Sequence, residues 1–193
     1  MGKSCTRCGG SSSVSVGNSW GFLLDGMKIH AGIIEVCVAK LLNFRVYTIV
    51  PNVHWGLGIH ECDMLALDKE GRFTEIEIKC SLSDLKADFK KGHNHKSEII
   101  SRLIYAMPID LCEKYELLVP SNCGIISVSE NVVKHKWLPT HKAEWFRTCR
   151  HSVVKKPDTE TIQNFMRLGC MRIWSLKEHN NVKRERQKLL KTA

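Results

Sequence analysis

Carboxylates stand on both arms of a short predicted hairpin at residues 61–80, ECDMLALDKEGRFTEIEIKC. Gly71 can adopt the positive φ that the last residue of a three-residue hairpin loop requires. Counting back from a loop at residues 69–71, Asp63 lies across from Glu77. Paired Cβ atoms in an antiparallel sheet lie about 5 Å apart, so two carboxylates there repel each other unless a divalent cation lies between them. The pattern therefore predicts a site for a hard cation.

Lys79 follows Glu77 by two residues and shares its face of the strand, because strand side chains alternate. A lysine beside a metal-bound water can orient that water and favour its deprotonated form. Two metal ligands with such a cation form a minimal apparatus for metal-assisted phosphodiester hydrolysis. The alternative is an amphipathic strand whose Glu and Lys side chains face solvent, as in most segments of the EIEIK type.

A third acid comes from the helix predicted at residues 29–43, where apolar residues recur at helical spacing. Glu35 is flanked by Ala31 and Ala39, four residues away on either side. Small neighbours let that face approach a sheet, where Glu35 can bind a metal directly or through water. The alternative is a helix glutamate that faces solvent.

Turn residues and periodicity predict the remaining elements. We expect a mixed α/β domain to about residue 137, with Ser83 as the N-cap and Gly92 as the end of one helix. A basic, mostly helical extension follows. The expected strands are at residues 45–50 (ending at Pro51), 62–68, 72–79, 114–120 and 124–129, and a second helix at 95–108.

A helix with Glu35, a strand with Asp63 and then Glu77-Ile78-Lys79 on the next strand resembles the PD-(D/E)XK nuclease superfamily, whose fold is restriction-endonuclease-like. The run CDMLALDKEGRFTEIEIKCSLSDLKADFKKG is most similar to the MmcB-like DNA repair family, as is the later KYELLVPSNCGIISVSE. The resemblance covers about residues 29–137.

The resemblance implies an αβββαβ core and Mg²⁺- or Mn²⁺-dependent endonuclease activity on DNA, in a repair, phage or defence setting. By the resemblance, Asp63 and Glu77 would bind the metal through their carboxylates, and Ile78 would bind it through its main-chain carbonyl. Lys79 would orient the water, and Glu35 would be the helix acid that can also bind the metal. The proline of the superfamily's name is absent, since Cys62 precedes the aspartate. Several such folds bind DNA without cutting it, so a catalytically inactive nucleic-acid-binding protein is the alternative.

The net charge of +9 belongs to the C-terminal third of the chain. Residues 134–193 carry 15 Lys and Arg against 5 Asp and Glu, whereas residues 1–133 carry 14 against 15. This asymmetry predicts a polyanionic partner, most simply nucleic acid, and the family resemblance favours DNA; a solvated basic tail is the alternative. Candidate phosphate contacts after the Glu-x-Lys strand are Lys86, Lys90, Lys91, His93, His95 and Lys96, the two histidines being expected in an exposed loop.

The nine cysteines are odd in number and irregularly spaced, which favours reduced thiols in an intracellular, cytoplasmic protein. No signal peptide and no transmembrane run is expected. Cys5 and Cys8 have zinc-knuckle spacing, and Cys149 with His151 can complete a Cys₃His zinc site if the ends of the chain meet; two free thiols or a redox pair are the alternative. The predicted organisation is a flexible segment at 1–28, a nuclease-like domain at 29–137 and an extension at 138–193. A homodimer is compatible with it.

Overall fold

The computed structural model describes residues 29–54, 56–91, 95, 97–131 and 140–192. The N-terminal segment with Cys5 and Cys8, together with His93 and Lys96, lies outside these residues. The elements are α1 (Ala31–Leu41), β1 (Thr48–Val53), β2 (Cys62–Leu67), β3 (Phe73–Ile78), α2 (Leu82–Asp88), β4 (Ile100–Pro108), α3 (Ile109–Tyr115), a 3₁₀ turn (Glu116–Leu118), β5 (Gly124–Glu130), β6 (His141–Arg147) and α4 (Thr159–Thr192).

Within the described residues, six strands form one mixed sheet in the order β1-β2-β3-β4-β5-β6. The pairs β1–β2, β2–β3 and β5–β6 are antiparallel, whereas β3–β4 and β4–β5 are parallel. The succession from α1 to β4 is the αβββαβ core that the resemblance implies, so the predicted restriction-endonuclease-like fold class is confirmed. None of the described helices is long and apolar enough to cross a membrane.

The two faces of the sheet are covered by different helices. Helix α1 packs Ile34 and Val38 against Ile76 and Ile104 on one face. On the other face, Phe165 of α4 is wholly buried, and its ring meets Phe73 edge to face at 5.0 Å between centroids. Burying a phenylalanine side chain contributes about 1.5–3 kcal/mol, which fixes the start of α4 on the sheet.

The β2–β3 hairpin forms as predicted. Gly71 has a φ of +77°, and the Arg72 main-chain N–H donates to Asp68 Oδ1 at 2.9 Å across the loop. The loop sets the register of the strands, which pairs Met64 with Ile76.

Several predicted elements differ in the structure. Residues 95–108, expected as a helix, contain β4, because a strand buried on both faces has a continuous apolar run that imitates helical spacing. Residues 114–120, expected as a strand, are the end of α3 and the 3₁₀ turn. Strand β1 begins at Thr48 and runs through Pro51, which an edge strand tolerates because one side of it needs no ladder donors.

Two further boundaries differ. The N-cap of α2 is Ser81, whose Oγ accepts a hydrogen bond from the Asp84 main-chain N–H, and the helix ends at Asp88 rather than at Gly92. Within the predicted extension, His141–Arg147 forms a strand that pairs with β5, while Thr159–Thr192 is helical as expected. The seven cysteines of the described residues are free thiols.

Candidate active site and its polar network

Asp63 and Glu77 lie opposite each other on neighbouring antiparallel strands. The ladder pairs Met64 with Ile76, and its next step sets Asp63 across from Glu77 on one face of the sheet. Asp63 Oδ2 accepts a hydrogen bond of 2.7 Å from the Ile78 main-chain N–H, which holds this carboxylate against β3. The predicted register of the hairpin is therefore confirmed.

The Glu77 carboxylate is buried with one oxygen unsatisfied. The residue is 1% exposed, and its Oε2 accepts a hydrogen bond of 2.6 Å from Lys79 Nζ, whereas Oε1 has no hydrogen-bond partner in the described part of the protein. Burial raises the pKa of Glu77, the Lys79 ammonium opposes this, and the charges of Asp63 and Asp88 add to the rise. A buried unsatisfied acceptor costs about 1–3 kcal/mol, and more when it is charged. A cation beside Oε1 would remove that cost.

Lys79 lies between two carboxylates. Its Nζ is 2.6 Å from Glu77 Oε2 and 2.9 Å from Asp88 Oδ1, and the residue is 3% exposed. Burial would lower the pKa of Lys79, but the charges and hydrogen bonds of Glu77 and Asp88 outweigh it and raise that pKa. The amine therefore keeps its proton at neutral pH and acts as a hydrogen-bond donor, not as a base.

Asp88, the last residue of α2, makes the most contacts in the polar network, and no sequence pattern predicted this role. Its Oδ1 accepts from Lys79 and, at 2.7 Å, from Lys91, while Oδ2 accepts from His95 Nε2 at 2.8 Å and from the Tyr105 hydroxyl at 2.9 Å. Burial alone would raise the pKa of Asp88, but the hydrogen bonds from His95, Lys91 and Lys79 hold it well below its usual range. Asp88 is therefore ionised and links α2 to β3, β4 and residue 95.

Glu75 forms a second buried polar cluster, with His60 and His95, beside the Glu77–Lys79–Asp88 cluster. Its Oε1 lies 2.8 Å from His60 Nε2 and 2.7 Å from His95 Nδ1, and its Oε2 has no hydrogen-bond partner among the described residues. Burial would raise the pKa of Glu75, but the hydrogen bonds and charges of the two imidazoles lower it. The His95 side chain is only 7% exposed, so the expectation that it lies in an exposed loop is wrong. No sequence spacing had singled out His60.

Glu35, on α1, lies near enough to Asp63 for the charge of that carboxylate to act on it. The residue is half-buried, and its pKa is raised by burial and, secondarily, by the negative charge of Asp63. The helix therefore brings its acid towards the sheet rather than into open solvent, and its role as a metal ligand stays a prediction.

The candidate phosphate contacts divide into two groups. Lys86 and Lys90 are exposed, as a contact with nucleic acid requires. Lys91 instead pairs with Asp88, and its Nζ lies 3.6 Å from Glu77 Oε2. Burial lowers the pKa of Lys91, but the Asp88 hydrogen bond and the negative charges of Glu77 and Asp88 outweigh burial and raise that pKa to about 12. The first two remain available to phosphate, while the third belongs to the polar network.

The described half of the predicted zinc site is occupied by other contacts. Cys149 Sγ lies 3.7 Å from the Leu103 main-chain carbonyl, and His151 Nδ1 lies 2.6 Å from Ser101 Oγ. Zinc binding by these two residues with the N-terminal cysteines stays a prediction.

Comparison with known proteins adds a family and a fold. The profile of the MmcB-like family, described as DNA repair protein MmcB-like, matches residues 25–180. A solved structure, the SPO1766 protein of unknown function from Silicibacter pomeroyi, is 20% identical, with a TM-score of 0.55, and the match covers 76% of this chain and 90% of that one. At that identity the likeness shows the fold alone. No curated protein matches significantly.

The family match spans most of the chain and includes every residue of the polar network. A DNA repair family suggests a role in repair and an interaction with DNA. The chain belongs to the MmcB-like family of DNA repair proteins.

Proposed function

We propose that this protein is a Mg²⁺-dependent endonuclease that cleaves DNA during repair. The observation that carries the proposal is the opposed pair of Asp63 and Glu77, with the protonated Lys79 amine 2.6 Å from Glu77 Oε2. Two facing carboxylates would destabilise a sheet that had no use for them. Their position in an αβββαβ core of a DNA repair family supports a catalytic use.

The donor set fits a hard cation. Asp63 and Glu77 offer carboxylate oxygens, and Glu77 Oε1 is buried without a partner in the described residues. Glu35 and the Ile78 carbonyl would complete an all-oxygen set of the kind that Mg²⁺ prefers. Mg²⁺ held there would supply positive charge to the phosphodiester and lower the pKa of a water molecule.

The chain's own groups would position the reacting atoms. Lys79 keeps its proton and can donate a hydrogen bond to the attacking water or to a phosphate oxygen. Asp88 holds the other side of that amine and limits where it can point. Lys86 in α2 and Lys90 just after it are exposed. They can contact the phosphate backbone and so position the DNA strand.

Cleavage of supercoiled plasmid, single-stranded DNA and branched DNA in Mg²⁺ or Mn²⁺ tests this proposal. We expect metal-dependent cleavage that falls by at least about 100-fold in Asp63→Asn and in Glu77→Gln, since each removes a charge needed in the transition state. Glu130→Gln is the matched control, because Glu130 is an exposed acid at the end of β5. Cleavage that survives the Asp63→Asn, Glu77→Gln double change would come from a contaminant and would refute the proposal.

A binding protein without catalysis is the second candidate, and one observation favours it. Lys79 and Lys91 already compensate Glu77 and Asp88, so the network balances much of its charge without a cation. This candidate predicts salt-sensitive DNA binding with no cleavage on any of the three substrates in either metal.

A further inference from the structure

We propose that His60, Glu75 and His95 form a second metal site, separate from the Asp63–Glu77 pair, which takes a divalent first-row transition ion, with Zn²⁺ as the first candidate. The proposal does not rest on nuclease activity. It rests on how three side chains from different segments of the chain meet on one face of the sheet.

The ligand atoms converge. In the described part of the chain this is the one group of three His, Cys, Asp or Glu side chains whose ligand atoms all lie within 4.8 Å of one another. His60 Nε2 and His95 Nδ1 are 2.8 Å and 2.7 Å from Glu75 Oε1. Two imidazole nitrogens and one carboxylate oxygen suit Zn²⁺ and its first-row neighbours rather than Mg²⁺, and three protein ligands leave a fourth position for water.

Glu75 supplies an independent sign of a missing partner. The residue is 0% exposed, and its Oε2 has no hydrogen-bond partner among the described residues. An ionised carboxylate so deeply buried normally satisfies both oxygens, because burying an unpaired charge costs several kcal/mol. A cation held by both oxygens of the Glu75 carboxylate and by the imidazoles would provide that partner.

The surroundings of His95 match those of a metal-binding histidine. While Nδ1 faces Glu75, Nε2 lies 2.8 Å from Asp88 Oδ2. Metal-ligating histidines almost always donate their second ring N–H to a carboxylate or carbonyl, which fixes the tautomer and orients the ring. With the proton on Nε2, the Nδ1 lone pair points to Glu75 and is available to an ion.

A metal-free cluster is the competing explanation. It requires a ring proton on each nitrogen that faces Glu75 Oε1, and it leaves Glu75 Oε2 unsatisfied. An ion needs ligand atoms about 3.3 Å apart for bonds near 2.0–2.1 Å, so binding requires the side chains to separate by about half an ångström. That is a small rotamer adjustment, and it exchanges two hydrogen bonds for metal bonds from three side chains.

The site would connect three parts of the chain. His60 precedes β2, Glu75 lies in β3, and His95 follows α2. Because Glu75 and Glu77 are two residues apart on one strand face, and Asp88 contacts both His95 and Lys79, the ion would stiffen the surroundings of the acidic pair without sharing its ligands.

The test titrates the metal-free protein of residues 1–193 with Co²⁺, a spectroscopic substitute for Zn²⁺, in excess Mg²⁺. The protein carries Cys5→Ser and Cys8→Ser, so that the N-terminal thiols cannot bind the probe. We expect one Co²⁺ per chain, visible ligand-field bands without a thiolate charge-transfer band, and displacement by Zn²⁺. Zn²⁺ should also shift the imidazole NMR signals of His60 and His95, a measurement that needs no change at the site.

Matched variants assign the ligands. His60→Gln and His95→Gln should each weaken Co²⁺ binding by more than the roughly 10–100-fold that loss of an outer-shell partner costs. His54→Gln should bind normally, since His54 is exposed and outside the cluster. Asp63→Asn should also bind Co²⁺ normally, although we expect it to reduce cleavage by at least about 100-fold, and this separates the metal-site proposal from the nuclease proposal. The proposal is overturned if no Co²⁺ or Zn²⁺ binds, or if His60→Gln and His95→Gln bind as tightly as His54→Gln.

Discussion

The Lys79 ammonium lies 2.9 Å from Asp88 Oδ1, and this contact joins the residue that follows β3 to the last residue of α2. The same amine is 2.6 Å from Glu77 Oε2. Two carboxylates from different elements therefore fix one buried lysine, so its direction depends on the helix as well as on its own strand.

Asp88→Asn should reduce cleavage while leaving DNA affinity within about twofold. The neutral amide holds Lys79 less firmly, and misplacing a catalytic group by about 1 Å can cost 100-fold in rate. Single-turnover rates and filter-binding affinities separate the two effects. Asp110→Asn, at an exposed position in the first turn of α3, is the control and should change neither. Equal cleavage by both variants would show that Asp88 does not position the lysine.

Gly71→Ala should destabilise the protein by about 1–2 kcal/mol. The φ of +77° is costly for any residue with a Cβ, and since no atom lies within 4 Å of the added carbon, the cost comes from the backbone alone. Gly32→Ala in α1 is the matched control and should stabilise by up to about 1 kcal/mol, because alanine favours helix. Urea unfolding measures both, and equal midpoints for the two variants would contradict the turn argument.

Gly124→Ala should destabilise by about 1–3 kcal/mol through overpacking. The added Cβ would lie 2.9 Å from Cys149 Sγ and 3.2 Å from Ile104 Cγ1. Adding Cys149→Ala should restore part of the loss, because it removes the nearest atom. A thermal melt of the two single variants and the double variant gives the coupling. Purely additive losses would mean that the cysteine does not press on this glycine.

Asp68 should make stability depend on acid pH. Burial raises the pKa of Asp68. Arg72 outweighs this effect through hydrogen bonds from its main chain and side chain and through its positive charge, and the Glu70 N–H adds a further hydrogen bond, so the pKa of Asp68 is lowered below 3.8. The ionised form is therefore favoured in the folded state. Its stabilisation is complete well above pH 4 and is lost as the pH falls through the folded pKa.

Asp68→Asn tests this by urea unfolding at pH 7 and near pH 3. We expect a loss of about 1.5–3 kcal/mol at pH 7, the range for hydrogen bonds to charged groups, and a smaller difference in acid. Glu70→Gln removes an exposed partner of the same Arg72 and should cost at most about 1 kcal/mol. A pH-independent Asp68→Asn effect would rule out the carboxylate as the titrating group.

Replacing Lys183, Arg184, Arg186 and Lys188 with alanine should weaken DNA binding and flatten its dependence on salt. Each phosphate contact that is lost reduces the slope of log K against log salt by about 0.9. Lys69→Ala, at an exposed position in the β2–β3 turn, is the control for loss of a surface charge. An unchanged slope in the fourfold variant would place the nucleic-acid surface elsewhere.

The hairpin was predictable because its turn is local. A single glycine fixed the loop, the loop fixed the register, and the register placed Asp63 opposite Glu77. Strand β4 was not predictable in the same way. Ile99, Ile100, Leu103 and Ile104 repeat at spacings that suit a helix, yet the strand lies between β3 and β5. Only the pairing with the neighbouring strands β3 and β5 decides between a helix and a strand for this segment.

The polar network lay beyond sequence reasoning for a related reason. Asp88 reads as one more acid on a charged helix, and His60, Glu75 and His95 are separated by 15 and 20 residues without a motif. Their meeting depends on where the fold places His60, ahead of β2, and His95, beyond α2, relative to Glu75 on the sheet. No local pattern encodes that placement.

Helix α4 has a consequence for how the protein would meet the DNA proposed as its partner. From Ile173 to Leu190 every residue is exposed, a stretch of about 27 Å at 1.5 Å per residue. An exposed helix of that length would enlarge the radius within which the protein can capture that long polyanion. First encounter would then take place on this exposed helix, and arrival of the DNA at the acidic pair would follow as a slower, separate movement along the DNA.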